Sequence, residues 1–322
     1  MIDRVQETMP QNARVALTLA QLPRIGRARL RKVLNALASD AWGNGVSITD
    51  ALRRCSEALR IDGFSTTDID MAARRADELW ARCEALHVRV HAYGWPTYPA
   101  QLTRLADPPA LLFSIGILDR EHAPRVAVIG TRKPTEWGLR TAHACAAEIA
   151  AAGGVVVSGL ALGIDAESHS AVVEHQCPTW AVLAHGLHTV SPSSNRELAK
   201  QIVAAGGALL SEYAPGEPAQ RFYFVERDRI QAGLVDAVLV IESGVDGGAM
   251  HTVRFAHEAG VPVWVTFPHE ELEIAETSAT TLPEPHQGTW TLLRTKNAVR
   301  VASARALRRM LAEAIAARRT AP

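Results

Sequence analysis

Four turns in this sequence carry most of the side chains that could hold an anion. They are Gly130-Thr131-Arg132-Lys133, the run SGLALGID from Ser158 to Asp165, the arginine–aromatic run RFYFVERDR from Arg221 to Arg229, and ESGVDGG from Glu242 to Gly248. In the first, Gly130 lets the backbone approach a ligand, Thr131 offers a hydroxyl, and Arg132 can fork onto a phosphate with Lys133 beside it. A plain strand-to-helix turn with solvated cations is the competing reading. The second turn sets the Ser158 hydroxyl, Gly159 and Gly163 directly after an apolar run. Asp165 stands where a helix N-cap belongs and is expected to be structural. His169 is read as a residue of that helix rather than as a base.

The third turn interleaves aromatics with arginines. Phe224 can stack a base while Arg221, Arg227 and Arg229 hold phosphates. The equal alternative is an amphipathic helix with Phe222 and Phe224 in the core and Arg227 pairing with an acid. In the fourth turn Ser243 and Gly244 could cradle a further phosphate, although Glu242 and Asp246 oppose that electrostatically. The same residues could instead form a flexible loop where the strand order reverses.

No set of side chains reads as catalytic. The sequence lacks a G-x-S-x-G elbow, an HExxH motif and a G-x-x-x-x-G-K-[ST] loop. His185 and His188 have the spacing of a metal pair but no third ligand, so two solvated loop histidines are expected, with no metal and no cofactor. Cys55, Cys83, Cys145 and Cys177 are too scattered for a zinc cluster or a redox pair. Reduced thiols in a cytoplasmic protein are expected. No N-terminal apolar segment and no run of membrane-spanning length is present.

The elements that must position these turns follow from hydrophobic periodicity. Strands are predicted at Val126–Ile129, Val155–Val157, Trp180–Leu183, Ala208–Leu210, Ala237–Ile241 and Val261–Val265, with helical patterns between them. That alternation implies a parallel sheet with right-handed crossovers, an α/β fold of extended Rossmann-like type. Gly153-Gly154 and Gly206-Gly207 end helices as left-handed caps do. Residues 1–87 read as a helical module, with Pro23 and Gly26 breaking the pattern into two helices around a tight turn. Arg24, Arg27, Arg29, Arg31 and Lys32 surround that turn, where backbone N–H groups could meet a phosphate; a solvated helix face is the alternative. Residues 88–125 read as a linker that becomes the entry strand and flank of the main domain, which spans 88–268. Residues 269–322 read as an acidic linker and a short basic C-terminal extension, with a strand near Trp290–Leu293 and a helix presenting Leu307, Met310, Leu311 and Ile315 on one face.

Hydrophobic residues make up 48% of the 322 and the formal net charge is zero, so any polyanion site must be a local patch. The order of the turns resembles the DprA/Smf family of DNA-processing proteins over roughly residues 14–268. The resemblance rests on Gly130-Thr131-Arg132, Gly138, Ser158 through Asp165, His169, Ser211-Glu212, Pro215-Gly216 and Phe224 through Arg229. Tyr98-Pro99, Leu102 and Asp107-Pro108-Pro109 match the family's lead-in segment, and LPRIGRARLRKVL is similar to its SAM-like helical module. The resemblance implies a non-enzymatic, homodimeric protein that binds and protects incoming single-stranded DNA and loads a RecA-type recombinase in natural transformation. It further implies that Arg132, Arg221, Phe224, Arg227 and Arg229 line the DNA pocket over a floor shaped by Ser158, Gly159 and Gly163. The sequence departs from the family pattern at Asp228, where asparagine is usual, at Trp137, where tyrosine is, at Gly247-Gly248, and at Pro268-His269, where Pro-Gly is expected. A nucleotide-binding sensor of the same fold is the alternative function. A LOG-type phosphoribohydrolase is disfavoured, because Gly247 through Phe255 lacks the glutamate of that signature.

Overall fold

The computed structural model describes residues 10–38, 47–61, 63–118, 123–272 and 282–320. The sheet is built from β1 (Arg89–Ala92), β2 (Leu111–Gly116), β3 (Arg125–Ile129), β4 (Val155–Ser158), β5 (Thr179–Leu183), β6 (Ala208–Ser211), β7 (Ala237–Val240), β8 (Val263–Val265) and β9 (Val299–Arg300). They lie in the order β1-β2-β6-β5-β4-β3-β7-β8-β9. From β6 to β9 every pairing is parallel, whereas β1–β2 and β2–β6 are antiparallel. β3, β4, β5 and β7 are buried along their whole length, so they are apolar on both faces, as parallel strands under two helical layers must be.

Alternation along β3 sorts the layers. Val126 and Val128 face α5 (Glu136–Ala151), α6 (Ile164–Glu174) and α11 (Ala304–Thr320); Ala127 and Ile129 face α8 (Arg221–Leu234), α9 (Ala249–Glu258) and α10 (Glu284–Arg294). The short helix α7 (Arg196–Ala204) returns the chain to β6. Gly153 and Gly206 have φ of 76° and 77°, the left-handed conformation expected after α5 and α7.

The N-terminal helices are α1 (Gln11–Gln21), α2 (Arg27–Ala38), α3 (Ile48–Leu59) and α4 (Thr66–Ala85). Ser47 caps α3, and Ser65 with Asp68 forms a reciprocal capping box on α4. Leu17, Leu34, Ala76 and Cys83 share one core with Val90, Phe113, Leu183 and Leu209, so these helices pack on the sheet directly.

Two expectations need correction, and one is extended. Residues 88–125 supply two strands, β1 and β2, paired antiparallel, where the sequence implies a linker that becomes a single entry strand. Trp290–Leu293 lies in helix α10, not in a strand: Leu292 packs at helical spacing into the core and Pro285 sits in the first turn. The edge strand is instead Val299–Arg300, which adds β9 beside β8, and α11 packs on α5. The expected acidic linker is helical at 269–272, and residues 273–281 fall outside the described residues.

Candidate nucleic-acid interface

β3 leads through α5 to β4 on one side, while β7 pairs with the other side of β3. The strand order therefore reverses between β3 and β7, and their C-terminal ends diverge to leave a crevice, the place where open α/β sheets bind ligands. A cavity of about 520 Å³ lies there, lined by Gly130–Lys133, Ser243, Gly244, Phe224, Arg227 and Asp228, among others. Backbone hydrogen bonds from Thr131 N to the Glu242 oxygen, 2.8 Å, and from Ile241 N to the Ile129 oxygen, 3.0 Å, hold the two loops together. A Cβ on Gly130 would collide with Ile164 and the Glu242 carbonyl, which explains glycine at this position.

Arg132 and Lys133 are exposed at the mouth. The Arg132 guanidinium sits 5.6 Å from the centre of the half-buried Phe224 ring, so a cation and an aromatic face are presented together. The deeper wall is ionic. Arg227 is buried, donates to the Val182 carbonyl at 2.6 Å, and lies 3.2 Å from the Asp228 carboxylate. With the Gln231 amide assigned so that its oxygen faces these donors, it accepts from Gly159 N at 2.9 Å and from Arg227 at 3.0 Å. Asp165 accepts from the N–H groups of Gly159, 3.1 Å, and Ala161, 3.4 Å. Two carboxylates thus share one guanidinium. Burial raises the pKa of both, with Arg227 opposing, and brings Asp228 up to about 7.

Glu242 was expected to repel an anion. It points away from the cavity and is fully buried. It accepts from the Thr135 backbone at 2.9 Å, from the Thr135 hydroxyl, and from His286 Nε2 at 2.8 Å. Thr135 is also the N-cap of α5, accepting from Gly138 N, and a Cβ on Gly138 would overlap the Glu242 carboxylate. His286 bonds Glu271 through Nδ1 at 2.6 Å. Burial works against charge on both groups, yet these hydrogen bonds outweigh it: the pKa of Glu242 falls and that of His286 rises. The chain from Glu271 through His286 and Glu242 to Thr135 fixes α10 against the loop after β7. Its members come from four separated segments, so nothing in local spacing announced it.

Several predicted residues lie elsewhere. Arg229 is turned away from the cavity and buried against Glu212, with contacts of 2.9 and 2.7 Å, because on a helix it cannot share the face of Phe224 and Asp228. Arg221 is exposed at the first residue of α8 and does not line the cavity. Ser158 is buried and donates to the Val128 carbonyl at 2.7 Å, which leaves its hydroxyl unavailable to a ligand. Gly159 lies behind Arg227, where a Cβ would strike the guanidinium, and Gly163, φ 78°, braces the Thr131–Pro134 backbone. The N-cap of α6 is Gly163, not Asp165; Asp165 occupies the second helical position and reaches back to the preceding loop. His169 is buried with Nδ1 2.8 Å from the Thr179 hydroxyl, and burial lowers its pKa to about 3. His185 is buried rather than solvated and accepts from Ser191 N at 3.2 Å.

The cations of the N-terminal turn are partly spoken for. Arg27 bonds Glu226, 3.0 Å, and Glu212, 3.2 Å; Arg31 bonds Asp107 and the Pro108 carbonyl, 3.0 Å. With Arg229 these form an ionic junction of three arginines and three carboxylates between α2 and α8. Arg24, Arg29 and Lys32 remain exposed.

The DNA recombination-mediator protein A family matches residues 89–311. The Smf protein of Synechocystis is 41% identical over 167 residues, 51% of this chain and 42% of that protein. The DNA processing protein DprA of Bacillus subtilis is 36% identical over 168 residues, 52% of this chain and 56% of that protein. The aligned part spans about half the length of these curated relatives. Among solved structures, DNA processing protein A of Streptococcus pneumoniae superposes with a TM-score of 0.70 at 25% identity, covering 92% of this chain and 96% of that one. DNA processing protein A of Helicobacter pylori, whose structure concerns its single-stranded DNA binding mode, gives 0.60 at 26% identity over 71% of this chain and 98% of that one. With the family matched across strands β1 to β9 and the same architecture found in two of these structures, the chain belongs to the DNA recombination-mediator protein A family.

Proposed function

We propose that this protein binds single-stranded DNA at the crevice between the ends of β3 and β7, without cleaving it. The observation that carries the reading is the exposed Arg132 guanidinium set over Phe224 at the mouth of that cavity. An aromatic face stacks any base, and adjacent cations track the phosphates, so affinity comes without sequence readout. Lys133 and the Ser243–Gly244 backbone extend the phosphate path. Arg227 acts from behind, as a buried positive charge shared with two acids. The Helicobacter pylori relative's association with single strands supports the same ligand class here. Protection of incoming strands, loading of a RecA-type recombinase and self-association belong to the proposal through family membership.

Asp165 and Asp228 beside the phosphate path also favour a second ligand, a small nucleotide bound through its base edge. One electrophoretic titration separates the readings. Single-stranded oligonucleotide should bind more tightly than duplex of equal length, and a mononucleotide should compete weakly. Equal affinity for duplex would defeat the proposal, and a mononucleotide that displaces the strand at equimolar concentration would favour the sensor.

A further inference from the structure

A second cavity, of about 450 Å³, lies away from the β3–β7 crevice, between α5, the end of β8 and the turn that joins β9 to α11. Its volume is within the range of about 300–1,000 Å³ that holds small ligands. One wall is a stripe of α5, where Trp137, Arg140, Thr141, Ala144 and Glu148 follow helical spacing. Phe267, His269 and Arg300 face it.

The charges in this cavity are unequal. Glu148, the one carboxylate of the lining, is engaged by Arg308, with a 3.0 Å contact between Oε2 and the guanidinium, which offsets part of its negative charge. Among the described residues Arg140 pairs with the highly exposed Glu136, a kind of pair worth little in water. Arg300 donates to the Phe267 carbonyl at 3.3 Å, while its Nε is buried and makes no hydrogen bond. An indole and a phenyl ring therefore stand beside two arginines and a histidine, with the hydroxyl of Thr141 nearby. Trp137 and His269, two of the positions where the sequence departs from the family pattern, both line this cavity.

We propose that this cavity is a second binding site, for a nucleoside monophosphate, with the base against Trp137 and Phe267 and the phosphate on Arg140 and Arg300. The indole and phenyl groups in the wall favour a planar group, and Arg140 and Arg300, engaged by an exposed carboxylate and a backbone carbonyl, favour an anion attached to it. The site is independent of the single-strand reading, since none of its lining residues belongs to the β3–β7 cavity.

The test is titration of the full chain with dAMP, followed by calorimetry and by tryptophan fluorescence. Ala144 is exposed on α5, so Ala144→Trp fills the cavity without entering the core. Three variants are compared: Ala144→Trp, Arg300→Gln and, in the other cavity, Arg132→Ala. The expected result is saturable binding that weakens by about tenfold or more in Ala144→Trp and Arg300→Gln and is retained in Arg132→Ala. Trp137→Phe should remove most of the ligand-induced fluorescence change, a necessary control because the chain has seven tryptophans. Should Ala144→Trp melt at a lower temperature than the wild type, Arg300→Gln decides. No saturable binding at millimolar dAMP would overturn the site. So would binding that is lost in Arg132→Ala and kept in Arg300→Gln, which would assign the nucleotide to the β3–β7 crevice instead.

Discussion

Replacing Asp228 by asparagine removes one charge from a cluster that holds one too many. Asp165 and Asp228 are buried beside the single guanidinium of Arg227. Burial raises the Asp228 pKa from 3.8 to about 7, with Arg227 opposing and Asp165 adding to the rise. Between these values the folded chain binds more protons than the unfolded one, so stability falls as the pH climbs through the window and the full cost stands above it. At about 1.4 kcal/mol for each pH unit between 3.8 and about 7, the ceiling is about 4 kcal/mol. Asparagine has the shape of the neutral acid and leaves Arg227 matched one to one with Asp165. Asp228→Asn is therefore expected to be more stable than the wild type by about 1–4 kcal/mol at pH 8 and equal to it near pH 4. Urea unfolding of both proteins at the two pH values measures this. Single-stranded DNA should also bind more tightly to the variant, most visibly at low salt. A variant less stable than the wild type by more than about 1 kcal/mol at pH 8 would refute the reasoning, because it would mean that the Arg227–Asp228 attraction exceeds the cost of burying the second acid.

Three further outcomes follow from the geometry. His286→Gln should cost about 1–3 kcal/mol by unpairing buried Glu242. The raised His286 pKa makes its contribution complete below 6.5 and lost as pH rises through the folded value, so the variant's deficit in urea should shrink between pH 6 and pH 9; an equal deficit at both would contradict the charged pairing. Arg229→Ala should destabilise by about 3–5 kcal/mol, because Glu212 loses its closest partner in a buried site. Its affinity for single strands, measured well below the melting temperature, should stay that of the wild type. Ser158→Ala should cost about 1 kcal/mol, read by melting, and leave DNA binding unchanged, since the hydroxyl is spent on the Val128 carbonyl.

Legibility in the sequence tracked the range of the physical signal. The buried strands β3 to β8 are continuous apolar runs between glycine turns, a local pattern, and all six predicted strands are present to within about two residues at either end. Gly130, Thr131, Arg132, Lys133, Ser243 and Gly244 follow strand ends and converge because the sheet is parallel. The Phe224–Arg229 run misled in part because helical rotation divides it: Phe224, Arg227 and Asp228 face the cavity, while Arg229 faces Glu212. In residues 88–125 one entry strand is legible and the second is not, because four prolines interrupt the segment between β1 and β2. Trp290 and Thr291 suit a strand by type, yet they lie in α10, a helix held by His286 on Glu242, forty-four residues away in sequence. The junction of Arg27, Arg31 and Arg229 with Asp107, Glu212 and Glu226 is likewise a product of tertiary packing and has no local signature.

The salt dependence of single-stranded DNA binding, compared between the wild type and Arg132→Ala, tests the account most directly. Each phosphate contact on a single strand contributes about 0.7 to the slope of log affinity against log salt. Arg132→Ala should bind more weakly and with a slope shallower by about 0.7, having lost one contact and the cation over Phe224. Unchanged affinity with an unchanged slope would place the DNA somewhere other than the crevice between β3 and β7.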